Sequence, residues 1–193
     1  MILNHNKKEI QAKIVYYGPA MSGKTTSIKY LFDHFNKIEK LNSIENSIGR
    51  TLFFDFGVLQ FKGMEWELKF LIYSATGQDF YASTRPATLK GVDGIIFVID
   101  SNIECLNHTI RSWQELRLFF DENLYRIPIL LAFNKYDLNQ TEKIKKGHLS
   151  EYINFNKFDN IFMKKTEAIT GKGILDSFNM IVKSIFPNIQ IKN

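Results

Sequence analysis

Apolar positions along the chain alternate between two periods. Residues 13–17, Lys-Ile-Val-Tyr-Tyr, form a short β-rich run that Gly18 and Pro19 bring to an end. Ile28, Leu31, Phe32 and Phe35 then recur at i, i+3, i+4 and i+7, one apolar face of a helix. Residues 52–61 and 66–73 are again β-rich and flank Lys62, Gly63, Met64 and Glu65. In the second of these runs Trp66, Leu68, Phe70 and Ile72 alternate with Glu67 and Lys69, which predicts an antiparallel hairpin with one buried face. Residues 94–99 and 129–133 carry no polar side chain, as strands do when helices cover both faces of a parallel sheet. Between them lies a helical stripe of Leu106, Ile110, Trp113, Leu116 and Phe120. A weaker strand, Ile161-Phe162-Met163, precedes a last helix marked by Ile174, Phe178, Ile181, Val182, Ile185 and Phe186 and stopped by Pro187. The predicted architecture is a three-layer α/β/α domain whose sheet is mostly parallel, with one antiparallel hairpin strand. Ligands of such sheets sit beyond the carboxyl ends of the strands.

Composition narrows this picture without redirecting it. With 193 residues, 45% of them hydrophobic, the chain suits one globular domain that needs no disulfide. Its single cysteine, Cys105, cannot form an internal disulfide, and the four dispersed histidines do not make a zinc motif. No apolar run reaches the roughly 18 residues of a membrane span. Ile2 stands where myristoylation needs glycine and the last residues hold no cysteine for prenylation, so no direct membrane anchor is expected and the protein is expected in the cytoplasm. The net charge of +5 raises the question of nucleic acid, but the lysines are dispersed among acids. The densest group, Lys143, Lys145 and Lys146 around Ile144, reads as a solvated helix start, and no nucleic-acid partner is expected.

Two motifs carry chemistry. Gly18-Pro19-Ala20-Met21-Ser22-Gly23-Lys24-Thr25 fits the pattern GxxxxGK[ST] and lies between a predicted strand and a predicted helix, with Thr26 next. Its glycines let successive N–H groups converge on a phosphate at the positive end of the helix. Lys24 supplies a charge to the β- and γ-phosphates, and the Thr25 hydroxyl is placed to ligate Mg²⁺. The second motif, Asn134-Lys135-Tyr136-Asp137, directly follows the second buried strand. The Asp137 carboxylate can accept both donors on the guanine edge, whereas adenine would leave the charge unmatched. Asn134 is suited to bracing the loop, and the aliphatic stem of Lys135 can lie on the base plane. Together the motifs point to GTP or GDP with Mg²⁺.

With these motifs the sequence resembles the Ras-like small GTPases, phosphate-loop NTPases, and among them the MglA-like group. The likeness covers nearly the whole chain, 1–193 as a single G domain. It is most particular in residues 13–18, in Arg50-Thr51-Leu52-Phe53-Phe54-Asp55-Phe56, and in Gly77-Gln78-Asp79-Phe80-Tyr81 followed by residues 89–94. The resemblance implies that Thr51 is a second Mg²⁺ ligand, that the Gly77 N–H meets the γ-phosphate and that Gln78 orients the attacking water. It implies that Arg50 reaches the phosphates, where a guanidinium accelerates transfer by roughly 10³- to 10⁵-fold. It also implies that the Ala168 N–H faces the base oxygen and that a Roadblock-type homodimer is a regulatory partner. Read as residues alone, Arg50 also has the plain alternative of a solvated loop residue and Gln78 that of a surface polar one.

Two departures from the Ras pattern bear on turnover. Ser74 stands where Ras proteins carry an acid three residues before the glycine, so the shell around Mg²⁺ is expected to lack a carboxylate. Ala20 replaces a glycine, and its methyl is expected to slow intrinsic hydrolysis. The leading expectation is a GTP-hydrolysing molecular switch. A GTP-binding scaffold with little intrinsic hydrolysis is the alternative, and a kinase is disfavoured because no arginine-rich lid is visible.

Overall fold

Strand β2 (Glu9–Tyr17) lies at the middle of the sheet because both of its faces are apolar. Ala12, Ile14 and Tyr16 point into one core, Val15 and Tyr17 into the other. The computed structural model describes residues 1–45, 51–63, 65–77, 83–138 and 142–187, apart from the side chains of 43–45 and 51–54. Within them the elements run β1 (Ile2–Asn4), β2, α1 (Lys24–His34), β3 (Leu41–Glu45), β4 (Thr51–Lys62), β5 (Glu67–Ala75), α2 (Arg85–Leu89) and β6 (Gly94–Asp100). They continue with α3 (Leu106–Phe120), β7 (Ile129–Asn134), α4 (Lys146–Leu149), β8 (Ile161–Lys165) and α5 (Ile174–Ile185).

The sheet has the order β3-β4-β5-β2-β6-β7-β8, with β1 added antiparallel to β2. Strands β5, β2, β6, β7 and β8 are parallel neighbours, and β4 is antiparallel to β5 over Phe54↔Ala75 to Lys62↔Glu67. This is the predicted hairpin, closed where the Gly63 N–H donates to Trp66 O at 2.9 Å. The short strands β1 and β3 escape prediction from the sequence. Each is held by its pairing partner, with too few residues to show a period of two.

Helices α1 and α5 cover one face, where Ile28, Leu31 and Phe32 meet Phe178, Ile181 and Val182. Helices α2, α3 and α4 cover the other through Leu89, Trp113, Leu116 and Leu149. Each such fully buried side chain stabilises the fold by about 1.5–3 kcal/mol. The Lys143 group divides: Lys145 and Lys146 are exposed at the N-terminus of α4, as predicted, whereas Lys143 and Ile144 precede the helix and pack inward. Lys143 bridges to Asn102, its ammonium donates to the carbonyls of Lys135 and Leu138, and Ile144 is buried. The helix begins at Lys146, because the chain first has to cover the end of β6.

Candidate functional site

All five parallel strands end at the same edge, so the loops after β2, β5, β6, β7 and β8 converge there. The loop after β2 turns through residues of positive φ, namely Gly18, Met21 and Gly23, and enters α1 at Lys24. Such a turn points its N–H groups inward at the positive end of the helix. Lys24 is buried and its ammonium donates to Gly18 O at 2.9 Å and Pro19 O at 2.6 Å. Burial, and then the charge of Arg85, lowers its pKa to about 7, while Asp55 opposes the shift. Ala20, Met21 and Thr26 are exposed, and Ser22 is buried with a hydroxyl that meets no partner among the described residues.

Thr25 supplies the decisive contact on this loop. Its Oγ1 donates to Asp55 Oδ2 at 2.6 Å, and Asp55 is fully buried. Asp55 on β4 stands opposite Ser74 on β5. A carboxylate therefore reaches the Thr25 hydroxyl from the strand beside Ser74. The reason is register: one rung of the antiparallel ladder brings an acid from β4 to the point where β5 carries a serine. A threonine hydroxyl that gives its proton to a carboxylate turns a lone pair outward, so this pair fits a hard cation such as Mg²⁺.

The base loop braces the phosphate loop. Asn134 Nδ2 donates to Ser22 O at 2.8 Å, and its Oδ1 accepts from Ala168 N at 2.9 Å and Thr166 Oγ1 at 3.3 Å. Gly23 permits this docking, since a Cβ there would overlap Asn134 Nδ2. The Ala168 N–H, expected to face a base, here completes the Asn134 brace. Lys135 has φ 57° and its ammonium pairs with Asp100 at 2.7 Å, which holds its stem along the loop. Asp137 is exposed at the loop's end.

Gly77 packs directly on the phosphate loop. A Cβ on it would overlap the Ala20 amide and lie 2.6 Å from the Pro19 carbonyl carbon. Thr51 opens β4, opposite Glu45. Arg50 and Gln78 lie outside the described residues. Sequence reasoning missed Asp55, Asp100 and Arg85. Asp55 carried a readable signal, a lone acid between Phe54 and Phe56 in a largely apolar strand, where burial demands a partner.

The model of the ADP-ribosylation factor family matches residues 1–185. The chain is 34% identical over 197 residues to the mutual gliding-motility protein MglA of Myxococcus xanthus, covering 97% of each. This chain belongs to the Ras-like small GTPases. It is similar at 27% identity to the Ras-related proteins RABF2a of Arabidopsis thaliana and Rab-5A of Dictyostelium discoideum, over 95% of its own length and 84% and 85% of theirs. As a small GTPase it binds guanine nucleotide, hydrolyses GTP and acts as a nucleotide-dependent switch. The three-layer sheet described above is that of a phosphate-loop G domain. No helix among the described residues is long and apolar enough to cross a membrane.

Proposed function

We propose that GTP and Mg²⁺ bind across the loops of residues 18–25 and 134–137, and that residues 50–51 and 77–81 respond to the γ-phosphate. The observation that carries this reading is the Thr25 hydroxyl on the buried Asp55 carboxylate. Lys24 holds the β- and γ-phosphates, and Asp137 reads the guanine edge. Thr25 and Thr51 are the protein's ligands to Mg²⁺, which when bound neutralises phosphate charge. Asp55 orients Thr25 from behind. The Gly77 N–H meets the γ-phosphate, an assignment supported by its packing on Pro19 and Ala20. Gln78 orients the attacking water, and Arg50 brings a guanidinium to the developing charge. On nucleotide binding the Ala168 N–H turns from Asn134 to the base oxygen. The whole chain works as one domain in the cytoplasm, and a Roadblock-type homodimer is its regulatory partner by likeness to the MglA group.

Single-turnover GTP hydrolysis, measured alone and with Roadblock-domain proteins from the same genome, tests this reading. Slow turnover alone and acceleration by such a protein are expected, with a faster intrinsic rate in Ala20→Gly. A protein that holds GTP with no phosphate release under any of these conditions is the scaffold instead. An unchanged rate in Ala20→Gly removes the methyl as the cause of slowness.

A further inference from the structure

Arg85, the first residue of α2, is a buried cation on the segment that follows the Gly77 loop. Its side chain turns back over nine residues, so that Nε donates to Thr76 O at 2.9 Å. Nη1 donates to the carboxylate of Glu115 on α3. A guanidinium buried to 6% exposure needs such partners, and Glu115 supplies the opposite charge.

The acceptor on the loop matters more than the ion pair. Thr76 O and the Gly77 N–H belong to one peptide group, and the described peptide bonds are trans. In a planar trans peptide the C=O and the N–H point in opposite directions. Holding the carbonyl on the guanidinium therefore fixes the plane of the peptide and aims the Gly77 N–H away from Arg85. A cation on the carbonyl also polarises the group, which makes its N–H a stronger donor. Gly77 itself lies against Pro19 and Ala20, at the phosphate loop.

We infer that Arg85 is a positioning residue for the γ-phosphate: braced by Glu115, it sets the Thr76–Gly77 peptide so that the Gly77 N–H is presented to GTP and finds no acceptor in GDP. This rests on the nucleotide site proposed above. It adds a discriminating residue that never touches the nucleotide and acts through a single peptide plane.

The test compares the dissociation constants of GDP and of a non-hydrolysable GTP analogue for wild type, Arg85→Ala, Arg85→Lys and Glu115→Gln. Arg85→Ala is expected to weaken the GTP analogue by about tenfold while GDP stays within about twofold. Arg85→Lys keeps a charged donor and recovers part of the loss, and Glu115→Gln shifts the ratio the same way by less. In the ³¹P spectrum of the bound analogue the γ-resonance moves in these variants and the α- and β-resonances hold. Equal weakening of both nucleotides, or an unchanged ratio, overturns the inference, since a merely structural arginine would not separate them. If Arg85→Ala does not fold, Arg85→Lys and Glu115→Gln decide by the same ratio. Wild-type protein that binds neither nucleotide overturns the site proposed above, an outcome distinct from a wild type that binds both and variants that lose both alike.

Discussion

Thr25 Oγ1 and Asp55 Oδ2 lie 2.6 Å apart although 30 residues separate them, and the ladder from β4 to β5 sets Asp55 opposite Ser74. A carboxylate thus stands behind the Thr25 hydroxyl, and it arrives on the strand adjacent to Ser74.

This relationship is exchangeable in principle. Asp55→Asn is expected to weaken Mg²⁺-dependent nucleotide retention by about 10- to 100-fold, the usual effect of losing such a partner. Adding Ser74→Asp on the opposite rung is expected to restore part of it. The rate of fluorescent GDP release titrated against Mg²⁺ measures both, and a single variant with wild-type Mg²⁺ dependence would remove Asp55 from the site.

The proposed site assigns discrimination of the base to Asp137. Asp137→Asn replaces a double acceptor by a donor and an acceptor, so GTP affinity is expected to fall by at least about 100-fold, the scale for an unmatched buried polar group. Xanthosine triphosphate, which has a carbonyl where guanine has its amino group, should bind the variant better than GTP. Competition binding with both nucleotides decides the matter, and an unchanged preference for GTP places base recognition elsewhere.

The contact between the two loops depends on the absence of a side chain at position 23. Gly23 has φ 103° and a Cβ there would overlap Asn134 Nδ2. Gly23→Ala is expected to lower stability by about 1–3 kcal/mol from the backbone alone and to release the Asn134 bond to Ser22. Chemical denaturation gives the first quantity and GDP affinity the second. A variant as stable and as tight as wild type contradicts the docking.

Far from the nucleotide edge, Glu9 at the start of β2 accepts from Lys69 and Gln11. Those bonds, the one from Lys69 foremost, hold its pKa below the ordinary 4.5. A depressed carboxylate contributes stability above its unfolded pKa and loses it as pH falls through the lower folded value. Glu9→Gln should therefore melt below wild type at pH 7, with the gap closing below about pH 4. Melting curves across that range check the sign; a gap that widens in acid would be contrary to it.

Much of this protein is readable along the chain because the signals are local. The runs at 94–99 and 129–133 lack a polar face, and they became β6 and β7, buried on both sides. The stripe from Leu106 to Phe120 became α3, with Trp113 and Leu116 in the core. The loop of residues 18–25 and the tetrapeptide at 134–137 carry their chemistry in residue type and spacing, and both fall at strand ends. Strands β1 and β3 were not legible, because three and five residues paired at an edge leave no periodic trace. In the basic tetrapeptide the exposed helix start at Lys145 and Lys146 was legible, but the inward packing of Lys143 and Ile144 was not, because it depends on Asn102 and the end of β6.

By itself, then, the sequence determined the succession of the longer strands and helices, the phosphate loop and the guanine motif, since each depends on neighbours within a few positions. Tertiary structure alone decided which carboxylate backs Thr25, which side chain joins Asn134 to Ser22, and which cation holds the Thr76 carbonyl. Those contacts join residues 30, 112 and 9 positions apart. They are fixed by strand register, by the space a glycine leaves and by the packing of α2 on α3, and none of these is a property of a local stretch of chain.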